Sequence, residues 1–304
     1  MANGIMKGLN HILTNNRFDL LHAIQPISGL ACAPLARRFG IPLITDLHNI
    51  WPEEMVAQGL IERDDETFIF LKNIEQTIID SSDVITVVSH FMKEYVKKNY
   101  SVRTKQIVVV PSAGPIVNLN PKTLRRDQVV YAGMVNLREH VDLFAHSIQL
   151  TKQYASFFIS NHGDAIDEVK RITRQIAGKD INYLWFKKRS EVLDFLKQSK
   201  IGILTSKNDI TRQIGPPLKL YDYMACGLPV VANNIDGWSR IIDDENIGLT
   251  TRDDPAEFAS AVDKILNDES LWLSMHENAV RAIQTKYNWE ITVQNTLLPV
   301  YNKL

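Results

Sequence analysis

From Ile201 to Asn233 the chain reads IGILTSKNDITRQIGPPLKLYDYMACGLPVVAN, and several of its residue types suit the holding of a phosphorylated ligand. Gly215, Pro216 and Pro217 make a rigid entry to a helix, because proline is pre-set for a first turn and has no amide to leave unpaired there. The amides of Leu218 and Lys219 would then point outward at the positive end of that helix, a ready seat for phosphate. One turn on, Asp222 stands among Leu220, Tyr221, Tyr223, Met224 and Ala225, where a carboxylate needs a partner if it is buried. A ribose diol is one such partner. Water, or a neighbouring cation such as Lys219, is another, and this segment alone leaves the choice open.

Seats of this kind form at the carboxyl ends of parallel strands, where loops lead into helix N-termini. The flanking sequence supplies such strands. After an opening amphipathic helix, FDLLHAI, IPLITDLHNI, DVITVV and QIVVVP are short apolar runs separated by helical patterns, one of them closed by Gly40 and another capped by Ser89. PSAGPIVNLNPKTLRR then loses all apolar period and reads as a connection between domains. The alternation resumes with DQVVYAG, a helix over 141–154, ASFFIS, a helix over 165–177, INYLWF, a helix capped by Ser190 and running to 200, IGILTS, a helix over 218–226 and PVVAN. Asp254 and Pro255 open a further helix to Asn267, and two helices broken near Asn288 end the chain.

Strands alternating with helices imply an α/β fold with parallel sheets. The boundaries expected are 1–115 for a first lobe, 116–126 for a linker and 127–304 for a second lobe. Five strands in the second lobe suffice for a doubly wound domain, whereas the four in the first fall short of about six for a full Rossmann lobe.

At 304 residues two such lobes can each bury a core, and 45% hydrophobic with 23% charged residues is ordinary for a globular chain. A net charge of −1 speaks against coating nucleic acid. Cys32 and Cys226 stand far apart in small apolar runs, as buried thiols in a reducing cytosol would. None of His11, His22, His140, His146, His162 and His276 has metal-ligand spacing. No run of about 18 apolar residues or leader pattern occurs, so a cytoplasmic protein is expected, at most peripheral to the inner face of a membrane. The basic stretch 90–105 would serve such contact, or be a solvated helix face.

PPLKLYDYMACGLPVVA resembles the donor-site signature of GT-B glycosyltransferases of family four, whose usual form runs proline, lysine, glutamate, tyrosine, methionine, alanine, glycine and PVV. FDLLHAIQPISGLA, HNIWPEE, SSDVITVVSHFMKE, VVYAGMVN, SEVLDFLKQSKIGILTS and the pair Trp289 and Glu290 resemble the same family, in the expected order. The resemblance implies two Rossmann-like lobes and retaining transfer of a sugar from a nucleotide-sugar to a glycan or lipid-linked saccharide. The acceptor would be bound by the first lobe, and no metal or other cofactor is expected. Helix amides and basic side chains would stabilise the departing diphosphate, and proximity would do most of the rest.

Carried over by position, Asp222 takes the place of the family's ribose-binding glutamate, one methylene shorter. Ile214 falls where the family has its first glutamate. After Gly133 the family has an arginine and a lysine for the diphosphate, but Met134 and Glu139 stand there. Arg138 is the adjacent substitute, or an ordinary loop arginine, and Lys219 is the better-matched cation. Gly163 resembles the glycine that lets the chain approach the nucleotide, although a strand-to-helix turn explains a glycine equally. Phe186 and Lys187 fall where the family holds the base. His48 resembles the histidine that contacts acceptor or transferred sugar and is the catalytic candidate; otherwise it is a strand-end histidine bonded to backbone.

The family's glycine-rich N-terminal loop has no counterpart, so the first lobe is expected to be shortened and to need cover from its opening helix, a second copy or a completing subunit. A working transferase is the first reading. A catalytically silent, nucleotide-sugar-binding or scaffolding subunit of another glycosyltransferase is the second.

Overall fold

The computed structural model describes residues 2–102, 106–120 and 125–304. It divides into two compact units: Met1–Ser112 with Asp209–Gly215 and Thr292–Leu304, and Ala113–Asn208 with Pro216–Ile291. Residues 121–124 of the expected linker, and Arg103 and Lys105 of the basic stretch, lie outside the described residues.

The first unit runs α1 (Ala2–Asn15), β1 (Leu21–Ile24), α2 (Gln25–Phe39), β2 (Leu43–Leu47), α3 (Trp51–Ala57), α4 (Glu66–Ser81), β3 (Val84–Val87), α5 (His90–Asn99) and β4 (Gln106–Val109). Its strands form one parallel sheet in the order β1-β2-β3-β4. All four residues of β3 are buried, as a central parallel strand requires. Local chemistry sets the helix ends. Gly40 adopts φ 65° and returns its amide to Ala36, closing α2, and the Ser89 hydroxyl accepts from the Met92 amide at 3.0 Å, opening α5. Of the covers expected for this sheet, the opening helix is in place: Met6, Leu9 and Leu13 pack with Leu21, Leu35 and Leu43. On α5, Met92, Tyr95 and Val96 face inward while Lys97 and Lys98 are exposed.

The second unit runs β5 (Gln128–Tyr131), α6 (Val141–Leu150), β6 (Ser156–Ser160), α7 (Ile166–Thr173), β7 (Asp180–Leu184), α8 (Arg189–Leu196) and β8 (Ile201–Leu204). A short α9 (Ile210–Gln213) groups with the first unit, and then come α10 (Leu218–Ala225), β9 (Val230–Asn233), α11 (Asp236–Asp244), β10 (Gly248–Thr251), α12 (Pro255–Asn267) and α13 (Glu269–Thr285). The chain closes with α14 (Trp289–Thr292), a π turn (Val293–Leu297) and α15 (Leu298–Tyr301). The sheet is parallel, in the order β10-β9-β8-β5-β6-β7. Its core lies on both faces: Val129 and Tyr131 pack into one cluster and Val130 into the other, the period of two that a strand imposes.

Three expectations change. The second sheet has six strands rather than five; β10, with a glycine and two threonines among its four residues, carries little apolar signal. Ser190 does not cap α8: Lys188 holds that place, and the Glu191 carboxylate reaches back to the Lys187 amide at 3.0 Å. Asp209–Gly215 and Thr292–Leu304 group with the first unit, although chain order alone assigns them to the second lobe. The reason is apolar packing, Ile214 with Leu47, Ile50 and Val87, and Val300 with Ile44 and Val84.

Candidate functional site

In the second sheet, strand order reverses between β5 and β8, and a doubly wound sheet leaves a crevice beyond the carboxyl ends of its strands at such a switch. The loop after β5 carries Gly133, Arg138 and Glu139. It is pinned to the end of β8, since the hydroxyls of Thr205 and Ser206 donate to the carbonyls of Glu139 and Arg138 at 2.7 and 2.8 Å. Tyr223, buried on α10, ties the same strands from below: its hydroxyl accepts from the Ala132 amide at 2.9 Å and donates to the Ile203 carbonyl at 3.0 Å.

Lys219 reaches into this corner from the first turn of α10. Its ammonium donates to the Tyr131 hydroxyl at 2.9 Å, pairs with the Glu139 carboxylate and lies 4.5 Å from the centre of the Tyr131 ring. A Cβ on Gly133 would stand 3.0 Å from that ammonium, so the glycine keeps the approach open. Leu218, the first residue of α10, is half exposed and follows Pro217 as N-cap, with no side chain capping the turn. Amides of a first helical turn carry partial positive charge and suit an anion.

Asp222 lies one turn along α10 from Lys219, on the same face, but its partner is Arg189 at the start of α8. The pairing with Lys219 that the sequence allowed is not made. Burial lifts the Asp222 carboxyl above its ordinary value, and the Arg189 guanidinium pulls it back. Phe186, two residues beyond the end of β7, packs against Phe195 of α8.

Gly163 has a structural duty. It adopts φ 134°, and a Cβ there would fall 2.0 Å from the Val135 carbonyl oxygen. The loop after β6 thus lies directly on the loop after β5, with the Val135 amide donating to His162 at 2.7 Å.

Lys219, Leu218, Gly133, Arg138, Gly163 and Asp222 are therefore all borne by one edge of the second unit. Gly215 groups with the first unit, its Cβ position 3.8 Å from Val88. Ile214 is buried in an apolar cluster of that unit, so the position that matches the family's first glutamate carries an apolar side chain turned into a core. Sequence reasoning missed Arg189, Tyr131 and Tyr223, because each acts across the fold on residues distant in sequence.

His48, also in the first unit, follows β2. Its Nε2 lies 2.7 Å from Asp46, whose other oxygen accepts from Thr86 at 2.8 Å. The hydrogen bond to Asp46 raises the imidazole pKa, against burial. Its partner is a carboxylate rather than backbone. Asn49 donates to Glu54 just beyond. Among the described residues no three His, Cys, Asp or Glu side chains are grouped to hold a metal, and no helix is long and apolar enough to cross a membrane.

A family model described as glycosyl transferases group 1 matches residues 126–268, and one described as Glycosyltransferase Family 4 matches residues 4–113. The chain is similar to a probable glycosyltransferase, WbjE, of Pseudomonas aeruginosa, with 24% identity over 81% of this chain and 65% of WbjE. It is also similar to a D-inositol 3-phosphate glycosyltransferase of Paenarthrobacter aurescens, with 23% identity over 93% of this chain and 72% of that protein. Among solved structures, HepE of Anabaena in complex with UDP superposes with a TM-score of 0.77 at 12% identity, covering 100% of this chain and 82% of HepE. The fold is thus that of two Rossmann-like lobes, GT-B.

Proposed function

Because the chain belongs to the group 1, family 4 glycosyltransferases, we propose that it moves a sugar from a nucleoside diphosphate sugar to a hydroxyl of a glycan or lipid-linked saccharide, with retention at the anomeric carbon and without a metal. The observation that carries this reading is the corner at the strand switch of the second unit. There the first turn of α10, Lys219 and the Gly133 loop converge. Lys219 and the helix amides would take the diphosphate, and Asp222, oriented by Arg189, the ribose. HepE, with the same fold, was crystallised with UDP and with UDP-glucose, which makes uridine nucleotides the first probes. His48, on the other unit, would contact the acceptor or the transferred sugar, and the enzyme would work from the cytoplasm or from a membrane surface.

Calorimetric titration with nucleoside diphosphates and their sugar conjugates tests the donor site. One nucleotide should bind saturably, and Asp222→Ala should weaken it by about 1.5 to 3 kcal/mol, the loss of one charge-assisted hydrogen bond. An unchanged affinity in that variant removes Asp222 from the site. Ile214 supports a second reading, a nucleotide-sugar-binding subunit without turnover, since it places an apolar, buried side chain where the family has a carboxylate. Tight donor binding with no release of sugar to any acceptor or to water would select it.

A further inference from the structure

Beneath the residues that follow His48, the first unit buries two carboxylates that the donor chemistry does not use. Glu53 and Glu75 are 6% and 3% exposed. Glu53, in α3, accepts from both nitrogens of one edge of Arg63 at 2.8 and 3.1 Å and from the Tyr95 hydroxyl at 3.0 Å. Glu75, in α4, accepts from the Tyr100 hydroxyl through one oxygen and from the Trp51 amide at 3.0 Å through the other. Lys72 covers the pair from the ring side, its ammonium 3.7 Å from the centre of the Tyr100 ring and 5.3 Å from that of Tyr95.

The bond to Trp51 is the instructive one. Trp51 is the first residue of α3, and the N-cap before it, Ile50, has no side-chain oxygen to offer. Pro52 has no amide, and Glu54 already bonds Ile50. The start of α3 is therefore capped from another helix, by a carboxylate that suits the positive end of a helix. Only Asn49 and Ile50 separate Trp51 from His48.

We propose that Glu75 is a positioning residue for His48: by capping the first amide of α3 from inside the core, it fixes the link from His48 to Trp51 and so the direction in which the imidazole is presented. The inference rests on the reading of His48 as an acceptor-side residue. It carries a pH signature, because burial raises Glu75 to about 7, with Glu53 adding to the rise and Tyr100, Trp51 and Lys72 opposing it. Above neutrality the cap is charged and strong; as the pH falls through 7 the charge at the start of α3 is lost. The groups facing Glu75 are Trp51 and Glu53 of α3, Lys72 of its own helix, and Tyr95 and Tyr100 on and after α5, with Arg63 held through Glu53. Neither tyrosine titrates in this window, since burial raises both, while the hydrogen bond to Asp46 raises the His48 imidazole.

Glu75→Gln in the full chain keeps the shape and one acceptor oxygen while removing the charge. The test follows the Trp51 amide and the His48 imidazole by NMR from pH 5.5 to 8.5, in the unaltered chain, in Glu75→Gln and in His48→Asn. A step near pH 7 at the Trp51 amide that persists in His48→Asn and vanishes in Glu75→Gln is the expected result, with His48 resonances shifted in Glu75→Gln. Where transfer is measured, Glu75→Gln should lower kcat about tenfold at pH 8 and remove the part of its acid fall that follows Glu75, with affinity for uridine diphosphate unchanged within twofold. A Trp51 step that survives in Glu75→Gln, or His48 resonances indifferent to it, overturns the proposal. The NMR arm does not depend on donor binding or turnover, so it stands or falls apart from the transferase reading.

Discussion

Lys219 and Glu139 meet as an ion pair in which both side chains are almost wholly withdrawn from water, 13% and 10% exposed. A carboxylate held against an ammonium competes with any anion that would bind there, so the pair acts as an internal occupant of the proposed phosphate seat. Exchanging Glu139 for glutamine keeps a hydrogen-bonding oxygen and removes the competing charge. Glu139→Gln is expected to tighten uridine diphosphate binding about fivefold, roughly 1 kcal/mol, read by calorimetry. Weaker binding in that variant would mean instead that Glu139 supports the bound state. At this scale Lys219 and Asp222 were legible because three residues of helix place them on one face. Arg189 was not, since it lies 33 positions from the carboxylate it holds.

The loops at the carboxyl edge of the second sheet are positioned by elements rather than by single contacts. Tyr223 joins β5 to β8, and Thr205 and Ser206 hold the β5–α6 loop from the next strand. Gly163 is the tightest point. Its φ of 134° and the Val135 carbonyl 2.0 Å from a would-be Cβ leave no room for alanine. Gly163→Ala should lower the unfolding free energy by about 2 kcal/mol or more and loosen nucleotide binding, since the Val135 loop must move. A denaturant midpoint equal to that of the unaltered chain would refute the close approach. Strands with continuous apolar runs, such as β3 and β9, could be read from sequence. β10 could not, because a four-residue strand of Gly, Leu and Thr carries little period of its own; α11 (Asp236–Asp244) is strongly amphipathic, with Trp238 and Ile242 buried, and went unread although its period was there.

On the scale of the whole chain, the proposed donor-side residues other than Gly215 belong to the second unit, and Gly215 and His48 to the first. Nucleotide binding should therefore register unevenly. With uridine diphosphate at a hundred times its Kd, hydrogen exchange in the second unit should slow at Gly133–Glu139, Gly163 and the first turn of α10, opening there becoming costlier by up to about 2.7 kcal/mol. Protection confined to the first unit would place the nucleotide elsewhere. The grouping of α9 and α15 with the first unit shows how far chain order departs from spatial order: Ile214 and Val300 go where there is apolar surface to cover.

The alternation of apolar runs and helical patterns by itself determined two parallel α/β sheets, and the run PPLKLYDYMACG marked the start of α10, the proposed anion seat. Both are local matters, settled by period, proline and glycine within a dozen residues. Only the tertiary structure decided who partners whom. It gave Asp222 to Arg189, Lys219 to Glu139 and the start of α3 to Glu75, because a buried charge takes whatever complementary group the packing brings within reach, and sequence distance has no part in that selection.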